Sequence, residues 1–239
     1  MHIPSRAARV VAVAALPLVL AACGSTDSTS GTSAKATASP SHSKDPNAGL
    51  FTGAQLKKAL APASFFPAGF ASDPDATRDS GDTYQPPATK SPAQPDCARL
   101  EGTSWIDITG VAGVSFAQGD YVSKNTSEEV AQQIDTYRGT TAASVLKDVE
   151  RIATTDCATF TDSQTHSKVK VAGQATPGLG DEACTITLTN PSWENGTTLV
   201  AARVGTNLVS VLSTDGHDNG AATAKKLTQR IVASLKKTS

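Results

Sequence analysis

Two carboxylates beside a pair of glycines form the most distinctive chemical pattern in the chain. The segment reads Pro177-Gly-Leu-Gly-Asp-Glu-Ala183, and its glycines can form a tight turn that points Asp181 and Glu182 into a cleft. The pattern lacks the full dinucleotide fingerprint, and no strand–helix unit surrounds it, so it does not indicate a nucleotide cofactor. The alternative is a turn whose aspartate bonds its own backbone, and short Gly/Asp patterns favour that alternative.

The two tryptophans are the other candidates for contact with a ligand. Trp105 precedes Ile106 and Ile108, and an indole buries so much area that a core position is the favoured interpretation. Trp193 lies in a loop of turn residues, Asn-Pro-Ser-Trp-Glu-Asn-Gly, where an exposed indole can bind a ligand or cover the edge of a sheet. Asp181, Glu182 and Trp193 are therefore the predicted ligand-binding residues.

The remaining reactive residues do not assemble into a catalytic or metal-binding pattern. His166 and His217 fall in predicted loops without a second ligand at metal spacing, and no Gly-x-Ser-x-Gly elbow is present. The formal net charge is -1, without a basic stripe or interleaved aromatic platform. We therefore expect no enzyme activity, no cofactor, no metal and no nucleic-acid partner.

The N-terminus has the organisation of an export signal. Arg6 and Arg9 precede an apolar run from Val10 to Leu20, which is too short to span a bilayer. Leu20-Ala-Ala-Cys23 follows and resembles the lipobox of bacterial lipoproteins. That resemblance implies cleavage before Cys23, acylation of its sulfur and stable anchoring in the cell membrane on the extracytoplasmic face.

Composition divides the rest of the precursor into a tether and a domain. Residues 24–48 contain almost no large apolar side chain, so they cannot bury enough surface to form a core. The predicted organisation is a signal peptide at 1–22, the lipidated Cys23 and flexible tether at 23–48, and a folded domain at 49–239. That domain is long enough for one hydrophobic core and is marginal for two domains.

The cysteines of the domain leave one thiol over. An exported chain enters an oxidising compartment, where two of Cys97, Cys157 and Cys184 are expected to form a disulfide. Three pairings are possible, and the residues alone do not choose among them. A Cys97–Cys157 bridge would contribute about 4 kcal/mol in the chain-entropy model.

Periodicity within the domain predicts an α+β fold with an antiparallel sheet and helices packed on it. Thr52 and Gln55 form a capping-box pattern for a first helix, and Ala224, Leu227 and Ile231 lie on the apolar stripe of the last one. The segment EVAQQIDTYRG at 129–139 fits helix and strand, and the strand is favoured because Arg138-Gly139 ends it before a clear helix. The other predicted elements are an irregular loop at 72–95, a helical turn at 95–100, strands at 113–122, 167–173 and 184–189, a helix at 140–154, and a hairpin turning at Gly205-Thr-Asn207.

Several of these pieces occur together in a known family. These pieces are Cys97-x-x-Leu100, the nearby Trp105, the strand ending at IDTYRG, the helix before Cys157, the run PGLGDEA, the hairpin around RVG and the final helix. Together they resemble the extracytoplasmic sensor-type domain of actinobacterial lipoproteins. The same domain forms the outer portion of some mycobacterial receptor Ser/Thr kinases. The resemblance covers roughly Cys97 to the C-terminus.

The resemblance implies an antiparallel sheet with packed helices and a cleft suspected of binding a ligand. It also implies a Cys97–Cys157 disulfide, whereas Cys184 lacks an evident partner for the second bridge that family members often carry. Two functions follow as hypotheses: a ligand-binding or sensing module of the cell envelope, or a structural lipoprotein that docks on an envelope protein without a small-molecule site.

Overall fold

Val, Ile, Leu and Thr recur in the apolar runs of the domain, as expected for strands of a half-buried sheet. The computed structural model describes residues 45–89, 94–216 and 218–238. The predicted signal peptide, Cys23, most of the predicted tether and His217 lie outside the described residues. Within those residues the chain forms a single α+β domain with an antiparallel sheet, which confirms the predicted fold class.

Eight strands and four α-helices are found in the part of the chain that the structure describes. The strands are β1 (Phe70–Asp79), β2 (Ser115–Ser123), β3 (Glu129–Thr136), β4 (Thr159–Thr161), β5 (Lys168–Ala175), β6 (Glu182–Thr189), β7 (Thr197–Val204) and β8 (Asn207–Ser213). The helices are α1 (Gly53–Ala59), α2 (Ile106–Thr109), α3 (Thr141–Arg151) and α4 (Ala221–Thr238). Short 3-10 turns occupy Ala63–Phe65 and Cys97–Glu101.

One antiparallel sheet contains all eight strands in the order β1-β2-β3-β8-β7-β6-β5-β4. The chain builds β1 to β3 as neighbours, crosses with α3 to the far edge at β4, and returns strand by strand until β8 pairs with β3. The most apolar hairpin, β7–β8, therefore lies in the middle of the sheet, where both of its faces are buried.

Hydrophobic cores lie on both faces of the sheet. On one face α1 and α4 pack over the first core, and the buried side of α4 consists of the predicted stripe. On the other face α3, α2 and the Cys97–Glu101 turn pack over the second core, which includes Trp105 and Tyr137. Trp105 is 1% exposed, as expected for a core residue.

Local sequence signals fix the ends of the helices that cover the first core. The Thr52 side chain accepts a hydrogen bond from the Gln55 backbone while the Gln55 side chain accepts one from Thr52, which is the predicted capping box. At the start of α4 the Asp218 carboxylate accepts a hydrogen bond from the backbone N–H of Ala222. Asn219 instead accepts one from Gly196 and holds the loop after β6.

The structure corrects three details of the sequence prediction. Most of β1 falls within the 72–95 segment that the sequence predicts to be an irregular loop. It is an edge strand with an irregular register between Asp73 and Arg78, and an edge strand tolerates Pro74. The turn between β7 and β8 contains two residues, Gly205 and Thr206, rather than three. The short α2 and β4 were not predicted, because four and three residues are too few to show a period.

The disulfide joins Cys97 to Cys157 across 60 residues of chain, as the family resemblance implies. It connects the 3-10 turn at Cys97–Glu101 with Cys157, which ends the π-helical turn Ile152–Asp156 that follows α3. Cys184 is a buried free thiol in β6, and burial raises its pKa to about 12. A thiol with that pKa is a poor nucleophile, so Cys184 serves as an apolar core residue.

Among the described residues, the helices are too short or too polar to cross a bilayer.

Candidate functional site

A row of polar side chains crosses one face of the sheet near its β1 edge. The strand register places Arg78 opposite Gln118, Gln118 opposite Gln133, and Gln133 opposite Ser210. Residues directly opposite each other point to the same face, so these four side chains form a continuous polar row from β1 to β8. Arg78 Nε donates to Gln118 Oε1 at 3.3 Å, which joins the first two members of this polar row.

The segment of residues 97–113, called here the covering segment, lies over this polar row. Thr103 Oγ1 donates to Gln133 Oε1 at 3.1 Å, and the Trp105 indole N–H donates to the Ser210 hydroxyl. The Cys97 disulfide fixes the start of the same segment. Two side-chain hydrogen bonds and one covalent bond therefore hold the covering segment against the sheet.

A cleft remains between the covering segment and the sheet. It has two adjoining compartments of about 210 and 250 Å³, which share Arg78, Ser104, Gln118 and Gln133 in their walls. The first compartment combines apolar and polar walls. Its other lining residues are Gln85, Trp105, Ile106, Val111, Ala112, Gly113, Phe116, Asp135 and Tyr137. A concave site with apolar walls and a few convergent polar groups is typical of small-molecule binding.

Buried carboxyl groups give this face of the sheet unusual electrostatics. Burial raises the pKa of Asp135 to about 7, although a 2.8 Å hydrogen bond from Gln133 Nε2 opposes the shift. Burial also raises the pKa of Asp120 to about 6, against hydrogen bonds from Gln118. Glu101, which lines the second compartment, has a pKa raised by burial and then by the neighbouring charge of Asp162.

The predicted pair Asp181 and Glu182 lies at the surface, at the start of β6. Both carboxylates form ion pairs with Arg203, at 3.1 Å for Asp181 and 3.3 Å for Glu182. Asp181 also accepts a hydrogen bond from the Gly205 backbone at 2.8 Å, so it fastens the turn of the β7–β8 hairpin. Gly178 and Gly180 have positive φ, as the turn interpretation of this segment requires.

Trp193 is partly buried rather than fully exposed. Its ring packs against the core beneath α3, and its Nε1 donates to Asp162 Oδ2 at 2.7 Å. Burial favours a higher pKa for Asp162, but hydrogen bonds from the Gln164 backbone, Trp193 and Thr165 together lower it. The contact joins the loop after β6 to the turn between β4 and β5.

The three predicted ligand-binding residues do not converge on one site. Asp181 and Glu182 lie at the start of β6 and Trp193 follows its end, so a strand of eight residues, roughly 25 Å long, separates them along the chain. None of the three lines either compartment of the cleft among the described residues. The sequence analysis missed Arg78, Gln118, Gln133 and Asp135, although polar residues at alternate positions of the buried β3 were a visible signal.

Among the described residues, no three His, Cys, Asp or Glu side chains group closely enough to hold a metal ion.

The comparisons with known proteins concern the fold. The chain is similar to the extracellular domain of PknH from Mycobacterium tuberculosis, with a TM-score of 0.51 and 13% sequence identity over 76% of this chain and 96% of that one. No protein-family profile and no curated protein matches the chain. The chain therefore shares its fold with the extracellular domain of a mycobacterial protein.

Proposed function

We propose that this protein is a lipid-anchored ligand-binding or sensing module that works on the extracytoplasmic face of the cell membrane. The observation that carries the proposal is the cleft, where a row of hydrogen-bonding side chains lies between the sheet and a covering segment held by a disulfide. Similarity in fold to the extracellular domain of a mycobacterial protein supports the location outside the membrane.

The buried polar residues of the cleft lower the stability of the fold, because apolar residues would fill the same core positions better. Gln133 and Asp135 are 5% and 7% exposed, in positions where apolar side chains would pack on the sheet without a desolvation penalty. Natural proteins retain such destabilising groups at sites where function requires them. We infer that these residues are kept for a ligand, and we assign no catalytic role to them.

Cleft binding is tested by native mass spectrometry of a chain that begins at Gly24, because every described element and both cores lie after residue 50. We expect this chain to retain a small molecule after purification under gentle conditions. The Ala112→Phe variant, which fills the cleft, should lose the molecule. The matched Ala233→Phe variant, on the exposed side of α4, should keep it. A ligand that survives the Ala112→Phe change would place binding elsewhere.

The alternative function, a structural or protein-interaction lipoprotein without a small-molecule site, makes the opposite prediction. The Gly24 chain would then retain nothing, and a panel of envelope metabolites would not raise its melting temperature. That result would reject the ligand-binding proposal and leave an envelope protein as the expected partner.

Anchoring is tested separately from binding. In cells, the full chain should label with a fatty acid and sediment with membranes, whereas a Cys23→Ser variant should do neither. Cys184→Ser is the matched control, because Cys184 is buried in β6 and should not affect labelling. Normal membrane association of the Cys23→Ser variant would refute the lipid anchor.

A further inference from the structure

The deepest charged group of the cleft is a carboxyl without a cationic partner. Asp135 lines the first compartment and is 7% exposed. Among the described residues, its hydrogen-bond donor is Gln133, and the ion pairs of the domain involve other carboxylates. A buried carboxylate normally has a cation beside it, because one neutral hydrogen bond does not replace the lost hydration.

The nearest candidate for that role within the cleft, Arg78, is held away from Asp135. The two residues lie on strands that flank β2 and are offset along the register, which places their Cα atoms roughly 12 Å apart. Phe116 is directly opposite Asp135 on β2, and the Arg78 guanidinium lies 5.7 Å from the centre of its ring. Arg78 also donates to Gln118, and its charge lowers the pKa of Asp120, whereas it is not among the groups that shift the pKa of Asp135.

Apart from Arg78, the residues that line the compartment with Asp135 are uncharged. Trp105, Ile106, Val111 and Tyr137 line the same compartment and offer apolar surface to the body of an organic molecule. A site with one carboxylate at its base and apolar walls complements a small molecule that carries a positive charge at one end. A neutral molecule would leave the carboxylate without a cationic partner, and an anionic molecule would be repelled by it.

We infer that the cleft binds a small organic molecule carrying a cationic nitrogen group, with Asp135 as its counter-ion. This inference rests on the proposed ligand-binding function and names the class of ligand for that site. Gln133 positions the carboxyl by donating to Oδ2, and Thr103 of the covering segment in turn donates to Gln133. The hydrogen bonds therefore connect the covering segment with the group that receives the ligand.

The test compares two probes of nearly equal shape, benzylamine and benzyl alcohol, with the chain that begins at Gly24. At pH 8 benzylamine is a cation and the alcohol is neutral, and nuclear magnetic resonance titration reports the Kd and the backbone amides that shift. We expect the amine to bind about tenfold more tightly than the alcohol, as a charge-assisted hydrogen bond provides. The shifted amides should include Gly113 and Tyr137 in the cleft wall.

Three variants make the test specific. Asp135→Asn keeps the size and the acceptor oxygen of the side chain but removes its charge, so the preference for the amine should disappear. Asp107→Asn removes a carboxylate that lines the second compartment and is 52% exposed beside Arg99, and the preference should persist. Ala112→Phe should weaken binding of both probes, which confirms that they occupy the cleft.

The outcomes separate this inference from the proposed function. Equal affinity for the two probes in the cleft, or a preference that survives Asp135→Asn, would overturn the inference and leave the ligand-binding function standing. Absence of benzylamine binding would also overturn it. A molecule retained in native mass spectrometry that lacks a basic nitrogen would do the same while supporting the proposed function.

Discussion

Neutralising Asp135 should make the protein more stable, and the gain should grow with pH. Burial raises the pKa of this carboxyl from the usual 3.8 to about 7, so the folded state binds the proton more tightly than the unfolded state. The wild-type protein therefore loses stability as pH rises from about 4 to about 7. Asp135→Asn removes the titration and keeps an oxygen that can accept from Gln133.

The magnitude follows from the pKa difference. Each pKa unit corresponds to about 1.4 kcal/mol. The interval between the ordinary pKa of 3.8 and the folded-state pKa of about 7 includes roughly the two pH units from 5 to 7. The free energy of unfolding of Asp135→Asn, minus that of the wild type, should thus increase by about 3 kcal/mol between pH 5 and pH 8. Asp120, whose pKa is raised to about 6, adds the same pH dependence to both proteins and cancels in the difference.

Urea denaturation of the Gly24 chain at pH 5, 6, 7 and 8, followed by tryptophan fluorescence, measures this difference. The control is Asp107→Asn, which removes a carboxylate whose side chain is 52% exposed. The reasoning is refuted if the difference in unfolding free energy between Asp135→Asn and the wild type is constant across the pH series, whether the variant is the more or the less stable protein.

Three further predictions concern the contacts that hold the site and the sheet together. Trp193→Phe removes the hydrogen bond to the buried Asp162 carboxylate and should lower the free energy of unfolding by about 1–3 kcal/mol in urea, whereas no loss would show that the indole N–H is dispensable. Replacing Cys97 and Cys157 by serine should lower it by about 4 kcal/mol, and the loss should match that produced by a reductant in the wild type. Gly220 has a φ of +80°, and a Cβ there would overlap the backbone of β8, so Gly220→Ala should express as an insoluble or unfolded chain by circular dichroism; a soluble, folded variant would contradict this.

Elements with a long local period could be predicted from the sequence. The stripe of α4 and the apolar arms of β7 and β8 each repeat over seven residues or more, and the strand interpretation of β3 is confirmed as well. The β1 edge strand could not be predicted, because it contains Pro74 and several aspartates, which are residue types typical of loops. An edge strand needs hydrogen bonds on one side only, so these residues are tolerated there.

The candidate site was less accessible to sequence reasoning than the fold. Its polar row joins Arg78, Gln118, Gln133 and Ser210, which are distant in the chain and become neighbours only through the register of four strands. The patterns that stand out in the sequence, the PGLGDEA turn and the loop around Trp193, instead have structural partners. Local motifs report turns well, whereas a cleft between a sheet and a distant segment leaves no short pattern.

The position of the disulfide has a consequence for when the protein can act. A copy whose thiols are still reduced would pair its strands through backbone hydrogen bonds, but the start of the segment 97–113 would lose its covalent link to Cys157. We expect such a copy to present a loose and solvated cleft. For the proposed ligand-binding function, one sulfur–sulfur bond would then make capture depend on an oxidising environment.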